Sequence, residues 1–289
     1  MKDAERITII GTGLLGGSIG LGLRAAGFDG RIIGVGRRDS TINHAIELNC
    51  IDEGTTCIAD GVANSDMILL ATPIGVFESL LGELAECDLK NATITDVGST
   101  KAQVCETAAR LLDGKAPFVG SHPMAGSEQH GPEHAQADLF RDATCIVTPT
   151  DDTNTDALSR VESLWASLGM RVLSMTPTEH DQVAARVSHL PHAVAVLLMQ
   201  LADRLGGLDI AATGLRDTTR VASGDARVWL DIFSSNRTAV VNSIDNFTEE
   251  LAELRRLLTD NDDTKLSQLL THAKTVRDGW VEQFDKRKA

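Results

Sequence analysis

Apolar and polar positions follow two rhythms along this chain, and the change between them falls near Pro177. Before it, short β-branched or apolar runs alternate with stretches of helical spacing. Ile7-Thr-Ile-Ile10 ends directly in glycine, helical spacing at Ile19, Leu21 and Leu23 runs on to Gly27, and Arg31-Ile-Ile-Gly-Val35 reads as a second strand. Met67-Ile-Leu-Leu-Ala71 and residues 92–96, 118–119, 144–148 and 171–174 read as further strands. Helical spacing over 76–84, 101–112 and 157–168 separates them. Such alternation predicts a parallel sheet covered by helices.

After Pro177 the period is helical almost throughout. Residues 178–205 form one helical stretch, interrupted by Pro191 and stopped at Gly206-Gly207. Phe247, Leu251, Leu254 and Leu258 share one helical face, and Leu266, Leu269, Leu270, Ala273 and Trp280 mark a later helix beyond the turn at Asn261-Asp262-Asp263. The expected fold is an α/β N-terminal domain with a mainly parallel sheet, residues 1–177, followed by an all-α C-terminal domain, residues 178–289.

Composition narrows the possible partners. Of 289 residues, 42% are hydrophobic, enough to bury a core without a disulfide or metal staple. Lys and Arg number 27 against 41 Asp and Glu, a net charge of -14 with no basic stripe, so nucleic acid is not an expected partner. Five scattered cysteines without a C-x-x-C point to a reduced, cytoplasmic protein. The polar start argues against a signal peptide, and the longest apolar stretch, 193–199, is too short for a bilayer. Tyrosine is absent, which excludes the short-chain dehydrogenases and aldo-keto reductases, whose proton donor is a phenol.

Gly11-x-Gly13-x-x-Gly16 follows a strand and opens a helix inside a βαβ unit. The first glycine allows the tight turn, the second a close approach of backbone to pyrophosphate, the third close packing of helix on strand. The helix begun by Leu14 and Leu15 then turns its N-terminus to the phosphates. Gly11, Gly13, Leu14, Leu15 and Gly16 are therefore candidate dinucleotide ligands of a Rossmann-type domain, joined by Thr72 and Pro73 at the end of another strand. The acid that binds the ribose 2′-hydroxyl of NAD is expected at the end of the second strand, where Gly36 stands instead, followed by Arg37 and Arg38. An arginine there pairs with a 2′-phosphate, so NAD(P) is expected with NADP favoured, although Asp39 lies close by.

Three further segments carry candidate chemistry. Ser99, in Asp96-Val-Gly-Ser-Thr-Lys101, is placed by spacing to cap the following helix, a role compatible with donating to a ligand. His122, in Gly120-Ser-His-Pro-Met-Ala-Gly126, is expected in a fixed loop at a strand end, placed to exchange a proton with a bound hydroxyl. Arg220, in Asp217-Thr-Thr-Arg220, suits bidentate binding of a carboxylate. Ser188-His189-Leu-Pro191-His192 sets two histidines about a helix-kinking proline. His130 and His134 have a metal-like spacing, but Gly131-Pro132 between them argues for a loop and no third ligand is evident, so no metal is expected.

Taken in order, the blocks 11–20, 96–101, 120–128, 179–192 and 214–220, followed by Trp229-Leu-Asp-Ile, resemble the prephenate/arogenate dehydrogenase family of tyrosine biosynthesis over nearly the whole chain. The resemblance implies an oxidative decarboxylation of prephenate to 4-hydroxyphenylpyruvate, or of arogenate to tyrosine. Hydride leaves C4 of the cyclohexadienol ring for the nicotinamide, and the ring carboxylate leaves as carbon dioxide. It further implies that His122 accepts the hydrogen bond, and in effect the proton, of the C4 hydroxyl, with Ser99 orienting both. Arg220 would bind a substrate carboxylate, His189 and His192 would line the pocket near the substrate side chain, and Ser127 and Glu128 would lie at its rim. A homodimer through the helical domain is implied as well. A fused mutase or regulatory domain is not expected in a chain that ends at Ala289 after its last helix. Two other readings differ in kind. The β-hydroxyacid and pyrroline-carboxylate reductases do not match blocks 120–128 and 188–192, and a non-catalytic NADP-binding redox sensor would leave His122, Ser99 and Arg220 without a task.

Overall fold

The structure is a computed structural model that describes residues 4–89, 92–127 and 129–286. Among these residues, eight strands form one sheet in the order β3-β2-β1-β4-β5-β6-β7-β8. They are β1 (Arg6–Ile10), β2 (Arg31–Val35), β3 (Glu53–Thr55), β4 (Met67–Leu70), β5 (Thr93–Asp96), β6 (Phe118–Pro123), β7 (Thr144–Thr148) and β8 (Arg171–Ser174). All neighbouring pairs are parallel except β6 with β7. Strand β4 is apolar and buried at every position, as a strand covered on both faces must be.

Helices close both faces. One apolar cluster joins Ile19 and Leu23 of α1 (Leu14–Ala25) with Val161, Leu164 and Trp165 of α6 (Thr155–Ser167). The other joins Phe77, Leu81 and Leu84 of α4 (Phe77–Ala85) with Val104, Ala108 and Leu112 of α5 (Ala102–Leu112). The sheet lies between them, so the α/β part is three-layered. Two short helices, α2 (Asp39–Glu47) and α3 (Ile58–Val62), flank β3, and none of these three was foreseen from the sequence. Helix α1 is rich in glycine, a poor helix former, and packing overrides that propensity. A Cβ on its Gly20 would overlap the Cys50 carbonyl oxygen, so only glycine lets the helix lie this close.

The strand order reverses between β1 and β4, and the loops after β1, β2, β4 and β5 leave the sheet at one edge. A crevice at such a switch point is where open α/β sheets bind ligands. The expectation of a fixed loop around His122 is corrected here. Pairing with antiparallel β7 prolongs β6, so His122 is held in a strand opposite Ile146.

Beyond Ser174 the chain is helical among the described residues. Helix α7 (Pro177–Ala184) opens with a capping box in which the Thr176 hydroxyl accepts from the Glu179 backbone N–H and the Glu179 carboxylate accepts from that of Thr176. A π-helical turn over Ala185–His189 leads into α8 (Leu190–Leu205). Pro191 has no N–H for the carbonyl four residues earlier, and widening to a π turn is one way the chain absorbs that loss. Helices α9 (Thr213–Thr219), α10 (Ala226–Ser235), α11 (Arg237–Thr259) and α12 (Asp263–Lys286) follow. Contacts gather the chain into two compact units, Met1–Arg237 and Thr238–Ala289. The first therefore includes the sheet and the helices through α10. The second consists of α11 from Thr238 onward and α12, joined by a turn in which Asn261 takes a left-handed conformation. No described helix is long and apolar enough to cross a membrane.

Candidate active site

Glycine shapes the first half of the site. Gly11 has φ +104°, and a Cβ there would stand 2.6 Å from the Ala71 carbonyl oxygen at the end of β4. A Cβ on Gly16 would overlap the Gly11 carbonyl oxygen. A Cβ on Gly13, the residue preceding α1, would meet nothing within 4 Å. The three positions thus differ in kind: two are packed by protein, and Gly13 faces open space above a helix N-terminus carrying unpaired N–H groups. The hydroxyls of Thr12 and Thr72 are buried there without a protein partner. The cradle has the shape and free donors that a dinucleotide requires, and there Leu14 and Leu15 would supply first-turn N–H groups and Thr72 and Pro73 the far wall. At the end of β2, Gly36 carries no acid, and Arg37 and Arg38 are exposed with no ion pair among the described residues.

The second half centres on His122. Its Nδ1 lies 2.8 Å from His180 Nε2, and His180 Nδ1 lies 2.8 Å from Asp181 Oδ1. A carboxylate only accepts, so His180 donates from Nδ1 and accepts at Nε2. His122 then donates from Nδ1, which leaves its Nε2 as a lone-pair acceptor. Burial, reinforced by His180, Lys101 and His189, holds His122 well below its ordinary pKa and therefore neutral. The same carboxylate takes the backbone N–H groups of Lys101 at 2.7 Å and Ala102 at 2.9 Å. Asp181 thus caps α5 from a distance in sequence, which corrects the expectation that Ser99 does so. Lys101, two residues beyond Ser99, is the residue that precedes α5, and its side chain does not cap the helix.

Ser99 is half-buried in a loop braced on both sides. The Asp96 carboxylate accepts from the Gly98 N–H at 2.7 Å and from the Ser121 N–H at 3.0 Å, and it pairs with the fully buried Lys101 ammonium. Lys101 also donates to the Ser121 carbonyl at 2.9 Å, so the Ser99 loop is tied to the strand that carries His122. On the other side, the Thr100 hydroxyl donates to Ser235 Oγ on α10 at 2.9 Å.

The π turn buries His189, and His192 is buried at the start of α8. Asn236 donates to His189 Nδ1 at 3.2 Å and to the Asp181 carbonyl at 2.8 Å, linking His189 to the His122 chain. Burial lowers the His189 pKa to about 4. His192 stacks on Trp229 with ring centroids 3.5 Å apart, and burial lowers its pKa too, partly offset by a hydrogen bond to the Val221 backbone. Nε2 of His189 and Nδ1 of His192 are buried with no partner among the described residues. Arg220 begins the short turn that holds Val221. It is exposed and lines a cavity of about 690 Å³ with Val196, Met199 and Leu215. No hydrogen bond ties Arg220 to His122. Ser127 is exposed and accepts from the Gln129 N–H at 3.3 Å, while Glu128 lies outside the described residues. His130 approaches Asp225, the cap of α10, at 3.9 Å.

His180, Asp181, Asn236, Trp229 and Thr12 carry much of this geometry, yet the sequence reading gave none of them a role. One signal was available. Thr176-Pro177-x-Glu179 is a capping-box pattern with proline at the first helical position, which sets His180 and Asp181 in the opening turns of a helix.

Residues 19–174 match the family described as prephenate dehydrogenase, nucleotide-binding domain, and residues 176–272 that described as prephenate dehydrogenase, dimerization domain. The chain is 34% identical over 285 residues to prephenate dehydrogenase of Bacillus subtilis (strain 168), covering 96% of this chain and 76% of the relative. Among solved structures, prephenate dehydrogenase from A. aeolicus in complex with hydroxyphenyl propionate and NAD+ superposes with a TM-score of 0.88 at 33% identity, covering 94% of this chain and 97% of the other. Synechocystis arogenate dehydrogenase does so with a TM-score of 0.81 at 31% identity, covering 95% and 99%.

Proposed function

The chain belongs to the prephenate dehydrogenase family of oxidoreductases, and from that premise we propose that it converts prephenate to 4-hydroxyphenylpyruvate with His122 as the base. The observation that carries the assignment is the Asp181–His180–His122 chain, which fixes a neutral imidazole with its free lone pair on Nε2. As hydride leaves ring C4, positive charge develops on the C4 hydroxyl, and the Nε2 lone pair takes the proton. The carbon–carbon bond to the ring carboxylate breaks, carbon dioxide departs, its electron pair completes the aromatic ring, and the C4 oxygen, now a phenolate, takes the proton back from His122 to give the phenol. The bound nicotinamide supplies the hydride acceptor. Ser99 positions the hydroxyl, and Arg220, whose planar guanidinium presents paired N–H donors, anchors a substrate carboxylate. His189 and His192 offer their unpaired nitrogens toward the substrate side chain, with Ser127 and Glu128 at the rim.

NADP is the favoured cofactor, on the strength of the missing acid at Gly36 and the two unpaired arginines after it. A division of labour near Pro177 is supported by the handover between the two family matches at residues 174 and 176. A homodimer is supported by the second family's description and by uncovered apolar side chains on the helices, among them Leu205 of α8, Leu258 of α11, and Leu270 and Trp280 of α12. The five cysteines, none in a disulfide, fit the cytoplasm.

The test is the rate of nicotinamide reduction by purified protein with prephenate or arogenate against NAD or NADP. Turnover of prephenate, faster with NADP, is the expected result. Turnover of arogenate alone would replace the substrate and keep the chemistry. No turnover by folded protein in any combination would remove the assignment.

A further inference from the structure

Thr12 stands between the first two glycines of the turn after β1, and its side chain does not point along that turn. Its Cγ2 lies 2.7 Å from where a Cβ on Gly34 would be, and its Oγ1 lies 3.5 Å from where a Cβ on Gly36 would be. The hydroxyl therefore reaches across to the end of β2, the place where dinucleotide-binding folds of this kind seat the adenosine ribose and where an acid normally receives it. Thr12 is 3% exposed, and its hydroxyl has no partner in the protein. A buried hydroxyl left unpaired is destabilising, and a ligand oxygen seated at the end of β2 would satisfy this one. The side chain that would compete for that place is missing at Gly36.

We infer that Thr12 is the residue that recognises the oxygen on C2′ of the adenosine ribose, taking over from the absent acid. The inference rests on the dinucleotide reading of this site and is independent of the preference for NADP. A hydroxyl both donates and accepts, so it serves a 2′-phosphate by donating and a 2′-hydroxyl in either sense. It carries no negative charge to repel a phosphate, so Thr12 and Gly36 together tolerate what an acid at position 36 would reject.

The experiment is titration of the protein with NADPH, NADH and the adenosine 2′-deoxy analogue of NADH, read by the fluorescence of the reduced nicotinamide. Thr12→Val keeps the shape and removes the hydroxyl. It is expected to weaken NADPH about tenfold or more and NADH about threefold, one hydrogen bond in each case, and to leave the 2′-deoxy analogue within twofold. Thr12→Ser is expected to bind all three as the parent does. If Thr12→Val does not fold, Thr12→Ala against Thr12→Ser makes the same comparison. Equal weakening of all three ligands, or of none, overturns the inference. A parent protein that prefers NADH, with Thr12→Val still sparing only the 2′-deoxy analogue, would remove the NADP preference and leave the role of Thr12 standing.

Discussion

His122 and His180 meet nitrogen to nitrogen at 2.8 Å, and with both rings neutral one distribution of protons satisfies both of them and the Asp181 carboxylate. Asp181 also caps α5 through the Lys101 and Ala102 N–H groups, so one carboxylate fixes a helix and the tautomer of the base. Asp181→Asn keeps an acceptor for the helix but can turn an amide N–H toward His180. That change favours the opposite tautomers and places a proton on His122 Nε2. A fall in kcat of about a hundredfold is expected, with dinucleotide affinity unchanged and about 1 kcal/mol of stability lost. Steady-state kinetics beside urea unfolding separates the two effects. A loss of stability with full kcat would make Asp181 a helix cap and nothing more.

His122→Asn is expected to lower kcat about a thousandfold while KM moves by a few-fold at most. Asparagine fills part of the imidazole volume and can still accept a hydrogen bond, but it does not take up a proton near neutral pH. Retained turnover would place the base elsewhere.

Burial gives a pH dependence with a definite sign. The unfolded chain takes up a proton on each histidine near 6.5, whereas folded His189 resists until about 4 and His122 until well below its ordinary value. Between those limits the unfolded state binds more protons. Stability is therefore full above about 6.5 and falls as the pH drops, by about 1.4 kcal/mol per unit for each such histidine. The contribution of His189 to that slope ends near pH 4. Urea unfolding from pH 8 to pH 4.5 measures the slope, and His189→Asn should flatten it. The acid limb of kcat/KM should likewise lie below 6.5, because His122 stays neutral there.

Strand and helix periodicity made the sheet and its coverage legible, because β1, β2 and β4 each bury a nearly continuous apolar run. The extent of β6 was not legible: residues 120–123 read as loop chemistry, and only pairing with a strand more than twenty residues away extends them. The site divides in the same way. Gly11, Gly13 and Gly16 act through the local backbone, which sequence spacing encodes directly. The role of Asp181 depends on α7 meeting the start of α5, a contact between residues some eighty positions apart that no local pattern records. Ser99 read as a cap for the same reason, since the true cap arrives from another helix.

Arg37 and Arg38 are exposed and unpaired, so neutralising them should cost the fold little. Arg37→Gln with Arg38→Gln is expected to weaken NADPH about tenfold or more and to leave NADH within twofold. Raising the salt concentration should weaken NADPH more than NADH in the parent and should lose that difference in the double variant. An equal loss for both cofactors would show that the arginines do not meet a 2′-phosphate.

Gly13 and Gly16 share a motif but answer to different constraints, and alanine at each should separate them. A Cβ on Gly16 would overlap the Gly11 carbonyl oxygen and come 2.9 Å from Ile9 Cγ2, so strand or helix must shift. Overpacking of this kind typically costs about 1–3 kcal/mol, and Gly16→Ala is expected to lower stability by that order even without cofactor. A Cβ on Gly13 meets no protein atom within 4 Å, and Gly13 has φ -85°, a value alanine adopts freely. Gly13→Ala should therefore unfold at the same urea concentration as the parent. Its methyl group would stand where a pyrophosphate must approach the N-terminus of α1, so NADH and NADPH should both bind at least tenfold more weakly. Parallel unfolding and fluorescence titrations give the two numbers for each variant. If Gly13→Ala binds both cofactors as the parent does, the open space over α1 is not the phosphate seat.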